Sequence, residues 1–138
     1  MPFTRRFSEK HHFMLTTLSG ELNDEDLLVH VLALNEETKG ISDLIELADC
    51  TTVTCLEHLT VEGTSSIATL EAIRPDSLLA LVVLDHPLNY GLARAYQAFS
   101  EDRRKEVRIF LDIDEALSWL VKDDQEFKFL TDFIKKHN

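Results

Sequence analysis

Residues 78–113 read LLALVVLDHPLNYGLARAYQAFSEDRRKEVRIFLDI, and this stretch decides the fold class. Leu78–Leu84 is a solid apolar run, the pattern of a buried strand. Turn chemistry follows at Asp85-His86-Pro87, and then an amphipathic segment from about Leu88 to Glu101. Within that segment Leu92, Ala95, Tyr96 and Phe99 recur at i, i+3, i+4 and i+7, so they face the sheet, while Tyr90, Arg94 and Gln97 lie opposite. A second apolar run, Val107–Leu111, completes a strand–helix–strand unit of the size that links two parallel strands. The chain is therefore read as α/β. Both strands end in aspartate, Asp85 and Asp112, where a parallel sheet presents its carboxyl edge.

Outward from this unit the same signals recur. Toward the N-terminus, residues 3–10 and 12–18 read as two short strands around Glu9-Lys10-His11, with Ser19-Gly20 closing the hairpin. Asn23 is an N-cap, and Asp24, Glu25 and Asp26 place negative charge on the first turn of a helix. Leu27, Leu28, Val31, Leu32 and Leu34 form its apolar stripe, and Gly40 is its C-terminal stop. Leu44–Ala48 is a short strand ending at Asp49, followed by a loop and a minor strand near His58–Glu62. Gly63-Thr64-Ser65-Ser66 opens a helix carrying Ile67, Leu70 and Ile73, which Pro75 ends. Beyond the central unit, Asp112 caps a helix with Glu115 three residues on, and Ile113, Ala116, Leu117 and Leu120 form its buried face. A polar break at Asp123-Asp124-Gln125 precedes a last helix, Asp124–Lys136. Its Phe127, Phe129, Leu130, Phe133 and Ile134 must pack on the domain or on a second copy, because so large an apolar patch is rarely left exposed.

The composition narrows the function. The 138 residues carry a net charge of −11 with only 14 Lys and Arg, which argues against nucleic acid and anionic membrane surfaces. No apolar run approaches the roughly 20 residues that cross a bilayer. MPFTRRFSEK has no apolar core of a secretory signal, so the cytoplasm is the expected compartment. Cys50 and Cys55 have no second cysteine pair, and a zinc site built on them would need His58 and one further ligand. They are read as ordinary reduced thiols, and no metal or other cofactor is expected.

Few constellations carry chemistry. Asp49, Asp85 and Asp112 could converge at the carboxyl edge and hold Mg²⁺, but turn and helix capping explains them more simply. His86 beside Asp85 has no nucleophile near it in sequence and reads as a turn residue. With only four glycines, no Gly-rich phosphate loop exists. Gly63, Thr64, Ser65 and Ser66 offer hydroxyls and free N–H groups at a helix N-terminus, where an anion is favoured. Tyr90 and Arg94, one turn apart, form a candidate recognition patch beside His86.

The hairpin, the LNDEDLL helix, the strand ending in Asp49, the GTSS helix and above all NYGLARAYQAF followed by VRIFLDIDEALSWL resemble the SpoIIAA-like, or STAS-like, family. These are small α/β proteins related to bacterial anti-sigma-factor antagonists. The resemblance spans about residues 3–122 and implies a mixed sheet with flanking helices, a bacterial cytoplasmic setting, and binding in place of catalysis. On this reading residues 1–138 are a single SpoIIAA-like domain, with a core over 1–122 and a helical extension over 123–138. In such antagonists a serine at the start of a helix is phosphorylated, in a motif of an aspartate followed by two serines and a glycine. Here Glu62-Gly63-Thr64-Ser65-Ser66-Ile67 keeps the hydroxyls but lacks that aspartate and that glycine. The loop is therefore expected to take an anion or a partner group and not to be a regular phosphorylation site. The expected function is a non-enzymatic regulatory or interaction module with a protein partner or a second copy of itself. The alternative is a carrier for a small anionic or apolar ligand. A cavity between the central helix and the sheet would favour the carrier; a flat exposed patch would favour the interaction module.

Overall fold

Five strands in the order β1-β2-β3-β4-β5 form one mixed sheet in the computed structural model, which describes residues 2–137. β1 (Phe3–Ser8) pairs antiparallel with β2 (Phe13–Asn23), and β3 (Ile45–His58), β4 (Arg74–Val82) and β5 (Arg104–Phe110) follow in parallel. Helices α1 (Asp24–Glu37), α2 (Val61–Ala68) and α3 (Pro87–Ser100) make the three parallel crossovers. Two more helices, α4 (Ile113–Leu120) and α5 (Asp124–His137), end the chain. The fold class read from residues 78–113 is the one observed.

Strand alternation divides the core. Phe13, Leu15, Leu47, Ala80 and Val82 point to the side covered by α4 and α5. Ala48, Leu79, Leu81, Val83 and Val107 point to the opposite side, with Ala93 and Tyr96 of α3. Leu22 and Val53 meet Leu27 and Val31 of α1 and Ile67 of α2 on that same side. The terminal helix buries Leu130 and Ile134, and Phe133 meets Phe13 edge-on at 5.8 Å, so α5 packs on the domain's own sheet. Phe129 departs from the expected face and lies partly exposed against His11 and Lys10.

Several boundaries differ from the sequence reading. The hairpin turns where the sequence places it, at Glu9–His11, a 3₁₀ turn ending with His12 in the left-handed region, but Ser19-Gly20 does not close the hairpin and lies inside β2. Gly20, at φ +71°, permits the irregular register there, which lets β2 run on beside β3. β3 is one strand of 14 residues, not a short strand and a loop. Its β-branched stretch Thr51–Thr54 keeps pairing with the extended β2. α2 begins at Val61, capped by Thr60, and ends at Ala68, so Leu70 and Ile73 are exposed instead of buried. β4 begins at Arg74 and accommodates Pro75 at its margin. On α1 Leu32 is exposed, and His30 takes the inward position. Gln97 of α3 is half-buried and donates to the Val107 carbonyl oxygen at 2.6 Å, so it faces β5 and not solvent. The caps read at Asn23 and Asp112 are present, accepting from Asp26 N at 2.7 Å and Asp114 N at 3.1 Å. Among the described residues no helix is long and apolar enough to cross a membrane.

Candidate functional site

The three crossover helices do not close completely over the sheet. Between them lies a cavity of about 110 Å³. Its floor is Ala48, Leu79, Leu81 and Val83 of the sheet, and its roof is Leu92, Ala93 and Tyr96 of α3. Small side chains line it on both sides, Ala48 below and Ala93 above, members of the same apolar cluster. Leu22 and Leu27 extend the apolar wall toward α1, and Phe3 reaches in from β1.

Besides Asn89 near the start of α3, four side chains from α1, α2 and β3 give this apolar space its polar character. Thr64 of α2 lines the cavity, is 4% exposed, and its hydroxyl oxygen finds no hydrogen-bond partner. An unsatisfied buried hydroxyl costs roughly 1–3 kcal/mol, so its retention at a cavity wall is informative. His30 of α1 is stacked on Phe3 at 4.4 Å, and its Nδ1 accepts from Arg5 Nη1 at 3.2 Å. Burial pushes its pKa down to about 4, with Arg5 acting in the same direction. The ring is therefore neutral at pH 7, and because arginine can only donate, its proton resides on Nε2. Cys50 contributes a thiol that burial pushes up to about 12.

Glu46, 2% exposed, belongs both to the cavity wall and to a buried ionic cluster at the amino-terminal ends of the strands. Its Oε1 accepts from Arg104 Nη2 at 2.9 Å, and its Oε2 accepts from the Thr16 hydroxyl at 2.6 Å. Burial alone would raise the Glu46 carboxyl, but Arg104 and the Thr16 bond outweigh it and hold it below the ordinary range. Glu71 lies 3.5 Å from Arg104 Nε, and burial keeps its carboxyl raised in spite of that neighbour. Arg74 completes the cluster and donates to Thr38 at the end of α1.

The residues singled out from sequence scatter. Thr64 alone joins the cavity. Gly63 donates its N–H to Thr60 Oγ1 at 2.8 Å, and Asp24 accepts from both Thr60 N and Thr60 Oγ1. A β-carbon at Gly63 would collide with the Asp24 carboxylate, so the chain already supplies a carboxylate to this helix start. Ser65 is half-buried and Ser66 exposed, both within the helix. His86 is the N-cap of α3, its Nδ1 accepting from Leu88 N at 3.2 Å, and Tyr90 and Arg94 are exposed on the same helix. The three aspartates do separate work. Asp49 is buried within β3 and accepts from Thr51 N and Oγ1, Asp85 is exposed, and Asp112 caps α4. His30 and Glu46 were missed, although each interrupts an apolar pattern. His30 occupies the i+3 place among Leu27, Val31 and Leu34, and Glu46 sits inside Leu44–Ala48.

With the geometry in hand, known proteins offer a fold and little more. No family model and no curated protein matches the chain. Among solved structures it is similar to a protein of the DUF3478 family with a SpoIIAA-like fold from Shewanella loihica PV-4. The two share 18% identity at a TM-score of 0.59, over 86% of this chain and 92% of that one. The protein has a SpoIIAA-like fold.

Proposed function

We propose that the protein is a non-enzymatic binding module that takes a small apolar molecule, bearing one uncharged polar group, into the cavity beneath α3. The observation that carries this reading is an apolar cavity with one unpartnered hydroxyl, Thr64, in its wall. The 110 Å³ here is smaller than the roughly 150 Å³ of a cavity that accepts benzene, which limits the enclosed part of a guest to a compact ring or a short branched chain at most. Electrostatics supports the apolar alternative over the anionic one. The ionised Glu46 carboxylate lies in the wall and His30 is neutral, so an anion would meet repulsion and no cation. The same groups argue for binding over chemistry. Cys50 stays protonated, His30 is too weak a base at neutral pH, and Glu46 is committed to Arg104 and Thr16.

Titration with toluene and with benzyl alcohol, followed by amide NMR shifts, tests the reading. Saturable shifts should map to α1, α2, α3 and the sheet residues beneath them, and Thr64→Val should weaken benzyl alcohol but not toluene. No saturable shift with either probe would refute it. A second reading, the regulatory interaction module, is favoured by the apolar side chains exposed at the carboxyl edge, Leu84, Leu88, Tyr90 and Leu111. A partner captured by the wild type and lost with Leu88→Glu plus Leu111→Glu would support it.

A further inference from the structure

Away from the cavity, at the far end of β3, ligating atoms of Cys55, Glu57 and His58 lie within 4.8 Å of one another. Side chains alternate along a regular strand, so Glu57 and His58 would ordinarily point apart. Two local features break the alternation. The register of β2 against β3 shifts on both sides of Glu21, and Leu59 N closes a turn on Leu56 O at 3.1 Å. The groups are close without being bonded, since none of the ion pairs among the described residues includes Glu57 or His58. Glu57 and His58 are exposed and Cys55 is half-buried, so an ion can reach them from solvent. In register beside Cys55 on β2 stands Glu21, also exposed.

We propose that Cys55, Glu57 and His58 bind one divalent transition-metal ion, with zinc the natural occupant. A thiolate, an imidazole and a carboxylate are the three donor types zinc accepts, and three protein ligands leave its fourth position to water or to Glu21. Calcium and magnesium prefer all-oxygen sets and are disfavoured by the sulfur and nitrogen donors. Cys50 takes no part, because it lines the cavity and burial pushes its thiol up to about 12. The net charge of −11 raises the local concentration of any cation. Cysteine spacing alone hides this site, because the partners of Cys55 are the two residues that the turn gathers and not Cys50.

Cobalt(II) titration of the full-length, metal-free protein decides the matter, because cobalt reports a bound thiolate by its charge-transfer absorption. One equivalent should develop that band, zinc should abolish it, and excess magnesium or calcium should not. Cys55→Ser should remove the band, and Glu57→Gln or His58→Asn should weaken binding by about tenfold or more. Cys50→Ala should leave it intact. Circular dichroism of each variant verifies that the fold is kept. Absence of the band, its persistence in Cys55→Ser, or its loss in Cys50→Ala would overturn the assignment.

Discussion

The two faces of the sheet are built on opposite plans. Under α4 and α5 the core is continuous and apolar, with Phe13, Leu117, Leu130 and Phe133 filling the space between strands and helices. Under α1, α2 and α3 the same sheet buries Glu46, Glu71, Arg74 and Arg104 and leaves a cavity whose wall includes Glu46. A filled apolar face contributes stability through burial and dispersion. Buried charges and a void do the reverse unless something else is gained, because ion pairs repay their desolvation poorly and voids forfeit contacts. The difference teaches that one face is packed for stability, while the other gives up packing to buried charge and a cavity, the feature on which the proposed binding rests.

The strongest way to break the comparison is Arg104→Met. It strips the partner from Glu46 and Glu71 together, and stranding buried charge costs roughly 3–5 kcal/mol. Urea denaturation should show that loss; a loss within error would mean that water already reaches the cluster. On the filled face, Leu130→Ala should cost about 3 kcal/mol through the cavity it opens. It should leave benzyl alcohol binding unchanged, and removing residues 124–138 should aggregate or destabilise the protein. A truncated form of unchanged stability would contradict the packing of α5.

A pH series sharpens the contrast further. The unfolded imidazole of His30 titrates near 6.5 and the folded one near 4. Between those values the unfolded chain binds the additional proton, so stability is full above the upper value and falls as the pH drops. The slope is at most about 1.4 kcal/mol per pH unit. His30→Asn keeps an acceptor for Arg5 and should flatten the melting-temperature curve across that window. Glu71, whose raised carboxyl acts in the opposite sense, is common to both proteins and cancels in the difference. Parallel curves would show that His30 is not the titrating group. The smallest effect belongs to Thr64→Val, which removes the unpartnered hydroxyl and should raise stability by up to about 1 kcal/mol while impairing polar-ligand binding. A loss of stability in that variant would mean that the hydroxyl has a partner in solution.

How much was legible follows from the range of each interaction. The caps at Asn23 and Asp112 depend on groups two or three residues away, so their side-chain chemistry could be read directly. The turn at Glu9–His11 was legible too, but the end of the hairpin's second strand could not be placed as surely. Ser19-Gly20 has turn composition, but pairing with β3 holds it inside a strand. His30 and Glu46 were visible only as polar interruptions of apolar patterns. Their meaning depended on Arg5, 25 residues from His30, and on Arg104, 58 residues from Glu46.

By itself the sequence determined the alternation of strand and helix, hence a parallel α/β sheet, because apolar periodicity and caps are local properties of the chain. It also determined that the terminal helix must pack, since its phenylalanines cannot be left together in water. Only the tertiary structure decided that β3 runs on to His58, that α2 is capped through Thr60 and Asp24, and that Ala48 and Ala93 line one cavity with Thr64 in its wall. The reason is physical. A strand's length depends on the neighbour it pairs with, and a void depends on the sum of side chains from segments far apart in sequence. Neither quantity belongs to any one stretch of the chain.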